Sequence, residues 1–286
     1  MSYYKESGKI NLIYTLLISL VGFAIVGGSA YGYAVLSHIN PFIYLNLILT
    51  LVYIAIVALA VIMTVDVGNI RNTKVAVFTG LVYGIAGVYA VWVSYISYVL
   101  EESFVYAGNN LGRCIELLSY QSFSIGRFGS GGLEFTGTTL YIMWGIEAAL
   151  ITIGPAIAMF YFNKDRPVFC EKCNKWARGE YKLRKKSTTK LSKESLEDLI
   201  SRSTLTPLME MENAAESVGD YYEFTFNSCD KCASTFYVKI EAVTNRRNDK
   251  GKNEEERKLM LPFFGIDSHV IPQEIKDKTV NTMAID

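Results

Sequence analysis

The sequence predicts an α-helical membrane bundle of four transmembrane helices, followed by a small cytoplasmic domain that is β-rich or α+β and zinc-ribbon-like. Three observations carry this. Charge is segregated: residues 1–162 hold only 6 of the 28 Lys and Arg and 7 of the 28 Asp and Glu, whereas an ordinary soluble domain spreads its charge. The same stretch contains four apolar runs, each near the 20 or so residues that cross a bilayer. The polar remainder contains two Cys-x-x-Cys pairs, the donor pattern of a tetrahedral metal site.

The runs cover about 10–36, 42–64, 75–100 and 139–162. Three contain no Asp, Glu, Lys or Arg, and the fourth contains a single Glu. A buried bundle in a soluble protein would show polar faces at helical period, and these are missing. Lys5 and Lys9 before the first run imitate a signal peptide. The run is about twice the length of a secretory apolar core, so it is expected to stay as a span.

Basic residues in short flanks set orientation. Lys5 and Lys9 precede span 1, Arg71 and Lys74 separate spans 2 and 3, and Lys164, Arg166, Lys172 and Lys175 follow span 4. The 1–2 turn "SHINPF" has no Lys or Arg, and the long 3–4 loop has only Arg113 and Arg127. A multi-pass protein of the cell (inner) membrane follows, with both termini cytoplasmic.

Within the bundle, Gly28-x-x-x-Gly32 and Gly80-x-x-x-Gly84 have the spacing that lets helices approach closely, most simply within one chain, with homo-oligomerisation as the other use. Tyr31, Tyr33, Tyr44, Tyr95, Tyr98, Tyr141 and Trp144 are placed as an interfacial belt. In the outer loop, 101–138, a short helix is expected with Leu111, Cys114, Leu117 and Leu118 on one face. The glycine-rich part after Gly126 reads as coil. Cys114 lies across the membrane from the other four cysteines, so it is free or pairs with another chain.

The domain over 163–286 is strand-like around both Cys pairs: "RPVF", "YYEFTF" and "STFYVKIEAVT" are β-branched, aromatic or alternating. "TNRRNDKGKNEEERK" reads as a loose hairpin tip and "KLMLPFFGI" as a return strand. The stretch 177–220 reads as a helical insertion whose helix is capped by Ser192 and carries Leu196, Leu199 and Ile200. A last helix is expected near 272–278.

Cys170, Cys173, Cys229 and Cys232 supply four thiolates in two short bites, as a closed structural zinc site requires. One zinc ion is expected. A redox dithiol and an iron–sulfur cluster are the rival uses. Four protein thiolates leave no open position, which argues against catalytic zinc. Asn174, after the first pair, suits the positive φ of a metal knuckle; Ala233, after the second, does not.

Glu147 is the lone charge inside a span, about 12 Å from its outer end. Such a group is costly unless paired, protonated or wet, and is therefore an intramembrane functional candidate. Thr50, Asn46, Ser94 and Tyr31 are its expected neighbours, and Gly154-Pro155 should kink the span. Asp66, at a span end, reads as solvated.

The run Lys182, Arg184, Lys185, Lys186, Lys190 reads as a solvated loop, with anionic lipid as a second use. The domain is nearly balanced, 22 basic against 21 acidic residues, and no nucleic acid is expected. Phosphate-loop, dinucleotide and hydrolase signatures are absent, and the chain has only two His. The reading leans away from an enzyme. It favours a membrane protein whose zinc-built cytoplasmic domain meets protein partners in interaction, assembly or regulation, with the lipid bilayer as its other partner. The alternatives are a small transporter or channel-like subunit using Glu147, and a thiol redox sensor using the Cys pairs.

Overall fold

A computed structural model of the chain describes residues 3–5, 7–40, 43–120, 123–125, 133–135, 137–164, 166–177, 179–186, 192–201, 210–214, 220–229, 231–232, 235–247, 253–267 and 271–281. The chain divides into two compact units, Ser7–Arg166 and a second made of Pro167–Asp286 together with Met1–Glu6.

The first unit is a helical bundle. Its long helices are α1 (Leu12–Ile39), α2 (Ile43–Val67), α3 (Thr73–Val99) and, further along the chain, α6 (Thr138–Lys164), each long and apolar enough to cross a membrane. Asn11 and Asn72 cap α1 and α3 by accepting hydrogen bonds from first-turn amides. Helix α2 ends where Asn69 turns left-handed (φ 51°). The Ile70 amide then reaches back to the Val65 carbonyl at 3.0 Å and the Asn69 amide to Asp66 at 3.2 Å. That is a Schellman C-cap, with Ile70 and Val65 buried together beneath it.

Helices α1 and α6 each pack on both α2 and α3. The α3–α6 seam is close because Gly80 and Gly84 lie on it: a Cβ on Gly80 would stand 2.8 Å from Ala156 Cα, and one on Gly84 would strike Thr152 backbone. Gly28 and Gly32, expected to act likewise, face open space. Outward-facing side chains are apolar: Leu12, Ile13, Leu20, Phe78, Ile85 and Ile142 are all more than half exposed.

Between α3 and α6 run α4 (Phe104–Asn109), α5 (Leu111–Ser119) and the paired strands β1 (Phe123–Ile125) and β2 (Leu133–Phe135). The expected short helix is α5. It buries Cys114 and Leu118 against Val93 and Ile96 of α3, but Leu117 faces outward. Part of the coil expected over Gly126–Gly137 is strand β2, and Gly137 turns with φ 57°; residues 126–132 and 136 lie outside the described residues. Asp66 is not simply solvated, since Arg166 reaches it at 3.5 Å while also donating to the Val65 and Ile70 carbonyls at the end of α2. A guanidinium beside a helix C-terminus satisfies carbonyls that the helix leaves over.

The second unit has a two-stranded ribbon, β3 (Phe169–Cys170) with β4 (Lys175–Trp176), and an antiparallel sheet in the order β5-β6-β7-β8. Its strands are β5 (Gly179–Lys186), β6 (Tyr221–Ser228), β7 (Thr235–Arg247) and β8 (Asn253–Asp267). One face, through Phe224, Phe226, Val238 and Phe264, packs on Leu196 of α7 (Lys193–Ser201) and Ile275 of α8 (Gln273–Asn281). Ser192 caps α7 as expected. Leu199, Ile200, Lys190 and Ala233 lie outside the residues whose side chains are described.

Two expectations for this unit are corrected. The start of the supposed helical insertion is strand β5, so the basic run is not a loop. Its side chains alternate: Lys185 is buried and donates to the Met211 carbonyl at 2.8 Å, while Arg184 pairs with Glu223 on the other face. The loose hairpin tip is mostly strand as well, because β7 and β8 set Arg246 opposite Glu254 and Val243 opposite Arg257. Backbone pairing along this ladder holds a polar strand that hydrophobic patterning does not detect.

Candidate functional site

The four cysteines sit at two hairpin ends. Phe169 pairs with Trp176 and Cys170 with Lys175, so residues 171–174 form a tight turn holding Cys170 and Cys173. Asn174 closes that turn with φ 54°, where an L-residue other than Asn or Asp is strained. Cys229 follows β6, and Cys232 precedes β7. All four Sγ atoms lie within 4.8 Å of one another, with Cys170 and Cys232 at 3.7 Å across the two turns.

These spacings fit a single ion. Zn–S bonds of about 2.3 Å in a tetrahedron put the sulfurs about 3.8 Å apart, and a disulfide would bring a pair to about 2.05 Å. None of the five cysteines is in a disulfide. A four-iron cube is wider than one ion and would hold its thiolates further apart. Cys170 and Cys229 are buried; Cys173 and Cys232 are partly exposed. Burial pushes the Cys170 thiol up, and burial with neighbouring thiols pushes Cys173 up to about 12. Left to themselves these groups are protonated, whereas a bound dication stabilises the thiolates and releases their protons.

The support around the first turn is aromatic. The Phe169 ring meets Trp176 edge-on at 5.0 Å, and Val168 and Ala177, buried on either side, are joined by a 2.7 Å backbone bond. Tyr4 brings in the N-terminal segment. Its hydroxyl accepts from the Phe169 amide at 3.2 Å, its ring meets Tyr237 edge-on, and its amide bonds the Phe263 carbonyl. Sequence reasoning took these first residues only as a basic flank; three residues beside a long apolar run give too short a pattern to read as a strand.

The sheet face opposite α7 and α8 centres on Glu223, whose side chain is 1 % exposed and bonds Arg257 at 2.8 Å and Arg184 at 3.0 Å. Burial pushes its carboxyl up, but the two guanidinium groups outweigh this and hold it below the ordinary value.

In the helical unit, Glu147 is joined to Tyr33, not Tyr31, which is exposed and meets Phe104. Tyr33, expected in an interfacial belt, is buried within the bundle. Its hydroxyl also lies 2.8 Å from Thr50 Oγ1, and its ring stacks on Tyr53 at 5.2 Å. Asn46 contributes its carbonyl to Thr50, with its side chain turned to Asn40. A signal for Tyr33 did exist: Val26, Ala30, Tyr33 and Ala34 form one buried helical stripe, and Tyr31 falls off it. No protein-family model, curated protein or solved structure matches the chain.

Proposed function

We propose that the chain is an integral membrane protein whose four long helices span the bilayer. Its cysteine centre holds one structural zinc ion that builds a cytoplasmic platform for protein interaction, assembly or regulation. The observation carrying this reading is the convergence of four thiols, at single-ion spacing, from two hairpin ends 55 residues apart in the sequence. An ion there closes a long loop and ties the β3–β4 ribbon to the β6–β7 hairpin, so its binding energy becomes folding energy. Residues 3–5 share a compact unit with the chain beyond Pro167. With four spans between them, this agrees with both termini lying on one side of the membrane, and the basic flanks favour the cytoplasm.

Elemental analysis of the purified full-length protein tests the reading. One zinc per chain is expected, lost in Cys170→Ser and on chelation, with protease sensitivity rising in residues 167–286 only. Iron in place of zinc, or metal-free protein carrying disulfides, would replace it by the cluster or redox alternative.

A further inference from the structure

Three hydrogen bonds in the helical unit run in series. The Tyr33 hydroxyl of α1 bonds Oε1 of Glu147 on α6. It also lies 2.8 Å from Thr50 Oγ1 of α2, which in turn stands 2.9 Å from the Asn46 carbonyl one turn back. The terminal carbonyl has no proton to give, and Thr50 and Tyr33 have one each. If Thr50 donates to Asn46, Tyr33 must donate to Thr50. The remaining bond then has one possible donor, a carboxylic acid proton on Glu147. With Glu147 ionised, Tyr33 donates to it, Thr50 turns to Tyr33, and Asn46 loses its side-chain donor. The neutral acid thus satisfies three bonds, and the carboxylate two.

The surroundings favour the same state. Among the described residues, the titratable groups around Glu147 are Tyr33 from α1, with Tyr53 of α2 stacked on it, and Tyr95 of α3, which His38 meets edge-on. Glu147 is half-buried within the bundle, and in the bilayer proposed above a carboxylate there has no cation among the described residues to offset its desolvation. Nor does packing call for an acid. Tyr83 and Thr64 form a like arrangement, 2.7 Å apart beside the Ala60 and Ser19 carbonyls, and there two hydroxyl protons serve three contacts, the one to Ser19 being the longest at 3.3 Å.

We infer that Glu147 is a proton-binding site, a neutral acid at pH 7 heading a Glu147–Tyr33–Thr50–Asn46 relay whose direction reverses when the proton leaves. On deprotonation the carboxyl O–H bond breaks and water takes the proton. The Tyr33 and Thr50 hydroxyls then rotate, and no bond between heavy atoms changes. The site is independent of the cysteine centre.

Infrared difference spectra of the full-length protein in lipid vesicles, followed against pH, test this. The C=O band of a protonated carboxylic acid is expected at pH 7. It should vanish in Glu147→Gln, whose amide can still donate to Tyr33 and keep the bundle folded, and shift in Glu147→Asp. Raising the pH should convert it to carboxylate bands. In Thr50→Val that conversion should fall to lower pH, because Tyr33 is then free to donate to the carboxylate; a merely structural role for Thr50 would leave the titration in place. The inference is overturned by carboxylate bands at pH 7 that Glu147→Gln removes. It is equally overturned by an acid band that stays constant up to the pH at which the bundle unfolds. Chelating the cysteine centre should leave the band unchanged.

Discussion

Glu223 shows how a single buried charge is made tolerable. Its carboxylate lies between Arg184 of β5 and Arg257 of β8 on a sheet face away from the apolar core. Removing one partner of a fully buried pair costs about 3–5 kcal/mol; Arg257 is 40 % exposed, so solvent screening reduces the expected loss for Glu223→Gln to about 2 kcal/mol at pH 7. The folded-state carboxyl is held below its ordinary value. Its stabilisation is therefore complete above the unfolded value and lost as pH falls through the lowered one. Urea melts of wild type and Glu223→Gln should differ at pH 7 and converge on acidification. Glu223 also marks a limit of sequence reading, since a Glu inside "YYEFTF" looks like an exposed strand position until its two arginine partners are known.

At the scale of elements, the two glycine pairs have the same spacing and different fates. Gly80 and Gly84 meet the α6 backbone around Thr152 and Ala156, whereas Gly28 and Gly32 meet nothing within 4 Å. Thermal melts should therefore show a large loss of Tm for Gly80→Ile, which drives α3 from α6. Gly28→Ala and Gly32→Ala should be neutral or slightly stabilising, because alanine is the better helix former. Spacing identifies residues able to sit at a helix contact, and only the rotation of each helix says which of them do. The same rotation places Tyr33, and not Tyr31, against Glu147. Strand β5 is illegible in the sequence for a related reason: "GEYKLRKK" is too polar to suggest a strand, and it is held by pairing along all of Gly179–Lys186 with β6.

For the whole molecule, the N-terminal segment is part of the unit that holds the cysteines. Tyr3 bridges to Phe264 at the edge of the sheet, and Tyr4 supports the first cysteine turn through Phe169 and Tyr237. Tyr4→Ala removes an aromatic edge contact and an acceptor for a backbone amide, and should destabilise the cysteine unit by about 1–2 kcal/mol. Limited proteolysis should then show faster cleavage beyond Pro167, and chelator concentrations that spare the wild type should strip metal from the variant. Unchanged protection would mean that the segment only rests on the sheet.

Composition and spacing alone reveal the four apolar helices, the change of character after them, the four cysteines with Asn174, and the singular position of Glu147. Each is a local property, carried by composition, spacing or backbone preference. Tertiary structure decided which groups meet: Tyr33 and Thr50 at Glu147, Arg166 at Asp66, Tyr4 at the first Cys pair, and two arginines at Glu223. Those contacts join residues far apart in the chain. They depend on the rotation of a helix or the register of a strand, where a shift of one residue moves a side chain to another face.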